Sequence, residues 1–326
     1  MHTDGEQIMR IIGEANAVAI SGHINPDGDA VGACYAMARC AAKMWKSVFV
    51  LLHDYSEIFD CIPGAEFRFL GDAGSLCPDV FISLDCGSKE RLGKYAGVFD
   101  KSVTTINIDH HMSNTKFAQY NLIDETASST CQILFTLVSM YVPIDEETAA
   151  ALYAGIVYDT GGFRHACTTP KTHEIAAMLL SIGFNHSDIY NRLMHIRSYK
   201  EARCFGRALC NIRLSEDGKI AYGGLSGEEL AELYATGKDL EGIAEYMLGV
   251  RGVEAAVFAY ATDPENSKLS FRSVALDVGS IAKGMGGGGH VNASGCNVKN
   301  GVDAALSMAV NAVDERLYDN RNNKRK

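Results

Sequence analysis

Four apolar runs in this chain each stop on an acidic residue or a histidine, and that repetition restricts the fold more than any other feature. Ala17-Val18-Ala19-Ile20 leads into His23-Ile24-Asn25-Pro26-Asp27-Gly28-Asp29, and Val80-Phe81-Ile82-Ser83-Leu84 leads into Asp85-Cys86-Gly87. Thr104-Thr105-Ile106-Asn107-Ile108 ends in Asp109-His110-His111, and the segment Ala149 to Tyr158 ends in Asp159-Thr160-Gly161-Gly162-Phe163. Short apolar runs bounded by turn residues read as buried strands. Between them lie Ala-rich stretches such as Ala30 to Met44, which read as helices. Such alternation is the pattern of βαβ units and a parallel sheet. Strand ends in that architecture converge on the edge where open α/β sheets bind ligands, so the four turns can share one pocket.

The first turn carries the densest chemistry. Pro26 and Gly28 force a reversal, which gathers His23, Asp27 and Asp29 at the carboxyl end of the strand. An imidazole among carboxylates suits a hard or borderline divalent ion such as manganese. Taken alone, a Pro-Asp-Gly-Asp turn is as well explained by an Asp that caps a helix. The recurrence of acids and histidines at three further turns favours the metal reading. Cys86 reads as a small residue in a tight turn rather than a redox group.

Further along, Ser47 to Leu52 and Ala118 to Leu122 read as strands, and Ser128 to Met140 and Glu146 to Tyr158 as helices. Thr168-Thr169-Pro170 opens another helix to about Leu180, with proline in the first turn where a missing amide is tolerated. The charged, amphipathic stretch from His186 to about Arg207 reads as a connecting helix or helix pair. Beyond it, strands at Cys210–Leu214, Ile220–Gly224, Ala255–Ala261 and Lys268–Val274 alternate with helices near 227–235, 242–248, 279–283 and 302–317, a smaller α/β domain. Trp45 is expected to pack between elements, and the Met and aromatic positions of 128–158 to lie in the core. His165, His173, His186 and His195 read as surface or satisfied histidines.

Composition bounds the rest. A length of 326 residues favours two domains. No stretch reaches the ~20 apolar residues that span a bilayer, and the polar start from Met1 to Glu6 does not read as a secretory signal. The ten cysteines contain no Cys-x-x-Cys pair and read as reduced thiols of a cytoplasmic protein. The formal net charge is −10, and two divalent ions would offset four carboxylates and still leave the chain acidic. Lys and Arg are dispersed except in the tail Lys324-Arg325-Lys326, which reads as a frayed end. Tracking long nucleic acid requires several phosphate-neutralising cations, so the balance points to a short or mononucleotide-sized substrate. Long double-stranded nucleic acid and membranes are not expected partners.

These motifs, in this order, resemble the DHH phosphoesterase superfamily, named for the triplet that stands here as Asp109-His110-His111. Ser270-Phe271-Arg272-Ser273 and the stretch Gly286-Gly287-Gly288-Gly289-His290-Val291-Asn292-Ala293-Ser294-Gly295 are similar to the basic strand and glycine-rich signature of the DHH-associated C-terminal domain. The compact nanoRNase and pAp-phosphatase group, with the stand-alone cyclic-dinucleotide phosphodiesterases, is the most similar subgroup. The resemblance implies an α/β fold: a Rossmann-like parallel-sheet catalytic domain over 1–188, a helical connector over 189–208 and a smaller α/β substrate-binding domain over 209–326. It implies two Mn²⁺ ions, with Co²⁺ or Mg²⁺ as substitutes. His23, Asp27 and Asp85 would hold one; Asp29, Asp85, His110 and Asp159 would hold the other. Asp85 would bridge, Asp109 would orient His110 through its ring nitrogen, and His111 would face the scissile phosphate. Arg272, Ser273, Gly287, Gly288, Gly289 and His290 would bind the rest of the substrate, with Arg164 as a further phosphate contact.

The activity implied is manganese-dependent hydrolysis of short oligoribonucleotides, linear dinucleotides (pApA, pGpG) and 3′-phosphoadenosine 5′-phosphate. Two alternatives stay open: a cyclic di-AMP phosphodiesterase, and a nucleotide-binding sensor without catalysis, which should have lost at least one ligand. A homodimer is left open as well.

Overall fold

The computed structural model describes residues 5–323; the tail Lys324-Arg325-Lys326 lies outside the described residues. Two units meet in sequence between Ile196 and Arg197. The first holds α1 (Gly5–Glu14), β1 (Ala17–Ser21), α2 (Gly28–Lys43), β2 (Ser47–Val50), β3 (Val80–Leu84), α3 (Ala96–Lys101), β4 (Thr104–Asp109), β5 (Tyr120–Ile123), α4 (Thr130–Val138), α5 (Glu146–Asp159), α6 (Pro170–Leu180) and α7 (His186–Met194). Its strands form one sheet in the order β2-β1-β3-β4-β5, every pairing parallel. Chain order reverses on the two sides of β1, so the β1/β3 boundary is a topological switch point, and loops leaving the carboxyl ends there flank an open crevice. β3 is buried along its whole length, as a run without polar alternation requires in a sheet covered on both faces.

The turn after β1 serves two purposes. Asp27 is the N-cap of α2, its Oδ1 accepting the amides of Asp29 (3.0 Å) and Ala30 (3.1 Å). The capping reading and the cluster reading of this turn therefore hold together, since one oxygen starts the helix and the other is left for the crevice. α2 begins at Gly28, two residues before the expected start.

Asp159 arrives differently from the other acids. It is the last residue of helix α5, not the end of a strand. α5 reaches the crevice because it packs closely on α2 through small residues. A Cβ on Gly32 would stand 2.5 Å from the carbonyl oxygen of Ala151, and one on Gly155 would stand 2.6 Å from Asp29 Oδ1. Side chains at either position would drive the helices apart.

Other expectations shift at element ends. Helix α1, which buries Ile8, Met9 and Ile12, precedes the first strand and was not expected. Trp45 does not pack between elements: it follows the C-cap of α2 with φ +62° and is 95% exposed. Phe135 and Tyr153 are buried as expected, whereas Met140 and Tyr141, beyond the end of α4, are exposed. Six of the ten cysteines are buried, and all ten are free thiols. No helix among the described residues is long and apolar enough to cross a membrane.

The second unit holds α8 (Tyr199–Cys210), β6 (Arg213–Leu214), β7 (Ile220–Leu225), α9 (Gly227–Glu232), α10 (Ile243–Leu248), β8 (Ala255–Ala261), β9 (Ser267–Ser273), α11 (Val278–Gly284), β10 (Gly288–His290), β11 (Ala293–Val298) and α12 (Val302–Asn323). The stretch 186–207 is thus a helix pair, α7 in the first unit and α8 in the second. Cys210 closes α8, so the strand expected from Cys210 is shortened to Arg213–Leu214. The sheet runs β10-β11-β9-β8-β7-β6 and is mixed, with only β7 and β8 parallel. Its two faces carry separate cores, one with Phe271 and Val257, the other with Ala256 and Phe258.

Glycine substitutions test the α2–α5 packing. Gly32→Ala should destabilise the protein, because overpacking costs about 1–3 kcal/mol and the obstructing atom is backbone. The better helix propensity returns only about 1 kcal/mol. Gly206→Ala in α8, where nothing stands within 4 Å of the new Cβ, should stabilise by about 0.5–1 kcal/mol. Urea denaturation of both variants checks this; a Gly32→Ala protein stabilised as much as the Gly206→Ala control would mean that α2 and α5 are not held at this spacing.

Candidate metal centre

Three loops and one helix end bring the sequence-predicted acids and imidazoles together. His23 Nε2 lies 3.8 Å from Asp27 Oδ2 and 3.5 Å from Asp85 Oδ2. His110 Nε2 lies 3.1 Å from Asp159 Oδ2 and 3.6 Å from Asp85 Oδ1. Three sets of potential ligand atoms fall within 4.8 Å of one another: His23, Asp27 and Asp85; Asp29, His110 and Asp159; Asp85, His110 and His111. Asp85 belongs to two of these sets and turns a different oxygen to each. Its backbone has φ +52°, a left-handed conformation that a non-glycine residue adopts only where surroundings impose it.

The donor set fits a divalent ion. His23 donates Nδ1–H to the carbonyl of Ile24 (2.7 Å), which fixes the tautomer and leaves the Nε2 lone pair turned to the carboxylates. Mixed imidazole and carboxylate ligands suit manganese and neighbouring metals better than magnesium.

Electrostatics agree with that fit. Burial works against charging His23 and His110, yet the facing carboxylates outweigh it and raise both imidazoles to about 10. Burial, reinforced by the charges of Asp85 and Asp27, pushes Asp159 up to about 6. Asp29, fully buried, is raised well above the carboxylate range by burial and by the charges of Asp159 and Asp85. Acids that hold protons and imidazoles that gain them describe a pocket with surplus negative charge, which bound cations would neutralise.

One expected contact is corrected. Asp109 does not orient His110; its Oδ1 accepts a 2.7 Å hydrogen bond from His111 Nδ1. The Nδ1 of His110 faces the carbonyl of Ala127 instead, at 3.4 Å. The backbone explains the exchange, because the amide of His110 bonds Asp109 Oδ1 and turns the chain so that the second histidine folds back. His111 is half-buried, and its Nε2 is the ring atom left for a ligand.

Two residues that the sequence reading missed hold this arrangement. Asn114 donates Nδ2–H to Asp109 Oδ2 (2.6 Å) and to Asn107 Oδ1 (2.8 Å). Thr130, at the first turn of α4, donates its hydroxyl to Asp85 Oδ1 (3.2 Å) and its amide to Asp29 Oδ2 (2.6 Å). The signal for Asn114 was its place three residues beyond the His pair; the Ser-Ser-Thr opening of α4 resembles any helix cap. Cys86 is buried, its thiol donating to Ser88 O and raised by burial to about 11, a neutral turn residue.

In the second unit, Arg272, Ala293 and His290 are cross-strand partners on β9, β11 and β10, so Arg272 and His290 share one face of the sheet. The Arg272 guanidinium stands 3.5 Å from Glu245 on α10. Ser273 is not placed with them: adjacent on the strand, it faces the other way, buried, with its hydroxyl donated to Leu276 O. Gly288 and Gly289 are strand residues and not loop, and Gly289, at φ +144°, leaves no room for a Cβ beside Ser294. Gly287 is equally tight against Gly295. Arg164 lies exposed in the turn after α5, belonging to the first unit.

Comparison with known proteins matches the DHH family N-terminal domain to residues 17–156 and the DHHA1 domain to residues 217–319. The bifunctional oligoribonuclease and PAP phosphatase NrnA of Thermus thermophilus is 29% identical over 318 residues, covering 95% of this chain and 94% of that one. The protein of the same name from Bacillus subtilis is 23% identical, over 90% of this chain and 92% of its own length. Among solved structures, an exopolyphosphatase-related protein from Bacteroides fragilis superposes with a TM-score of 0.88 at 27% identity, covering 95% of each chain.

Asn114→Ala should leave the fully buried Asp109 carboxylate short of a donor. A hydrogen bond to a charged group contributes about 1.5–3 kcal/mol, so metal-stripped protein should lose about that much in urea denaturation. A change within about 0.5 kcal/mol would show that Asp109 is held without it.

Proposed function

This chain belongs to the DHH family of phosphoesterases, with a DHH N-terminal domain and a DHHA1 domain, and we propose that it is a manganese-dependent hydrolase of short oligoribonucleotides. Linear dinucleotides such as pApA and pGpG, and 3′-phosphoadenosine 5′-phosphate, are the substrates of this reading. Asp85 carries it, since one carboxylate turns separate oxygens to two imidazole-containing sets. That is the arrangement a pair of ions bridged by a single residue requires. The near full-length likeness to proteins named for oligoribonuclease and PAP phosphatase activity supports the substrate class.

In this reading His23, Asp27 and Asp85 would hold one Mn²⁺, and Asp29, Asp85, His110 and Asp159 would hold the other. When bound, the two ions supply charge neutralisation at the phosphate and activation of the attacking water. The chain's own residues do the rest. Asp109 accepts the Nδ1–H of His111 and favours the protonated imidazolium, whose Nε2–H would face the phosphate as hydrogen-bond donor and as proton source for the leaving oxygen. Thr130 and Asn114 keep the carboxylates in place. Arg272 and His290, with the glycines at 287–289, bind the non-reacting part of the substrate, and Arg164 is a further phosphate contact. The acidic balance of the chain limits it to short substrates, and its ten free thiols suit the cytoplasm.

The reading is tested by hydrolysis of a panel containing pApA, pGpG, 3′-phosphoadenosine 5′-phosphate, cyclic di-AMP and RNA of increasing length, in manganese and then in magnesium after manganese is stripped. Turnover of the linear dinucleotides in manganese, weak in magnesium, is expected. Preference for cyclic di-AMP would move the substrate assignment, and absence of any hydrolysis would leave a sensor.

Arg272→Ala and His290→Ala should raise KM for a dinucleotide roughly 10- to 100-fold, the loss of one charge-assisted contact of ~1.5–3 kcal/mol. Hydrolysis of bis-p-nitrophenyl phosphate, which has no distal nucleotide, should be nearly unchanged. Equal loss on both substrates would place the second domain in the catalytic scaffold.

A further inference from the structure

The hydrogen bonds at the start of α4 are unevenly distributed over the acidic cluster. Thr130, 0% exposed, gives its amide to Asp29 Oδ2 at 2.6 Å and its hydroxyl to Asp85 Oδ1 at 3.2 Å, while the next amide, of Cys131, goes to Asp29 Oδ1 at 3.0 Å. Asp29 falls in the set with His110 and Asp159, and Asp85 Oδ1 is the oxygen turned to His110. The oxygen turned to His23 is Asp85 Oδ2, and Asp27 is held by the first amides of α2. The first turn of α4 therefore touches Asp29 and the Asp85 oxygen turned to His110, and touches neither Asp27, which α2 holds, nor the Asp85 oxygen turned to His23. Room for Asp29 in this position depends on Gly155, whose Cβ would stand 2.3 Å from Cys131 Sγ and 2.6 Å from Asp29 Oδ1.

We propose that Thr130 is a positioning residue for one of the two metal positions only, the one built on Asp29, His110 and Asp159, through its hydroxyl on Asp85 Oδ1. The inference rests on the two-ion reading of the site. A carboxylate oxygen that accepts a hydroxyl proton has one lone pair committed and the other aimed, so the donor sets the direction in which Asp85 Oδ1 meets a cation. Removing it takes that hydrogen bond from Oδ1 alone, while His23 still faces Oδ2, and outer hydrogen bonds of this kind typically account for 10–100-fold in metal affinity. The backbone amide on Asp29 survives any side-chain change, so the variant isolates the hydroxyl. Asp85 Oδ2 faces His23 without help from Thr130, and the other position should feel little.

The test uses the full-length, metal-stripped protein and Mn²⁺ alone, with free ion counted by electron paramagnetic resonance during titration. Wild type should take up two ions. Thr130→Val, close in shape but without the hydroxyl, should weaken one step by 10- to 100-fold and leave the other within about 3-fold; Thr130→Ser should restore the wild-type curve. His23→Ala should weaken the step that Thr130→Val spares, which assigns the two steps. Equal weakening of both steps, no weakening, or a serine variant that behaves like valine would overturn the proposal. Circular dichroism melting of the stripped proteins separates a folding defect from a binding one. If the valine variant does not fold, Thr130→Ala removes the same hydroxyl without the second methyl and is read by the same criteria. Uptake of fewer than two ions by wild type defeats the two-ion reading itself, an outcome distinct from two ions with no selective effect of Thr130.

Discussion

Five aspartates packed around three imidazoles at one end of a parallel sheet form the constraint on which the structure depends. Asp29, Asp85 and Asp109 are buried, and buried carboxylates are tolerated only when hydrogen-bonded or faced by positive charge. Each is provided for separately: Asp29 by the amides of α4, Asp85 by Thr130 and the imidazoles, Asp109 by His111 and Asn114. The hydrogen bonds still leave surplus negative charge, visible in the upward shift of His23 and His110 to about 10. A chain that concentrates acids so heavily, and aims two imidazole Nε2 atoms into them, is organised to receive cations.

The helical layer exists at the spacing this cluster demands. Strand ends alone deliver His23, Asp85 and Asp109 through His111, because β1, β3 and β4 are neighbours at the switch point. Asp29 and Asp159 come from α2 and α5, and they meet only because small residues let those helices approach. Gly32 and Gly155, which cost helix propensity, are a packing requirement with a chemical consequence.

Much of this was legible in residue order. Apolar runs ending in acids marked β1, β3 and β4 and the edge they share, and the DHH and DHHA1 matches agree with the resemblance drawn from the motifs. What stayed hidden were contacts between residues distant in sequence or dependent on local rotation. That Asp159 ends a helix was expected from Glu146 to Tyr158; that this helix packs on α2, more than a hundred residues away, and so brings Asp159 to Asp29 was not. The exchange of His110 for His111 as the partner of Asp109 depends on how one amide turns the chain, which spacing does not encode. Ser273 could be read as a partner of Arg272 only by overlooking strand alternation, which sends neighbours to opposite faces. Trp45 was assigned to packing by residue type, and a left-handed backbone after the helix cap carries it into solvent.

Asp85 is proposed to join two metal positions. Crystals of the protein grown with Mn²⁺, measured at the manganese absorption edge, test it most directly. The account predicts two anomalous peaks about 3.5–4 Å apart, one bounded by His23 and Asp27, the other by Asp29, His110 and Asp159, with one Asp85 oxygen on each. A single peak, or two peaks that do not share Asp85, would contradict it.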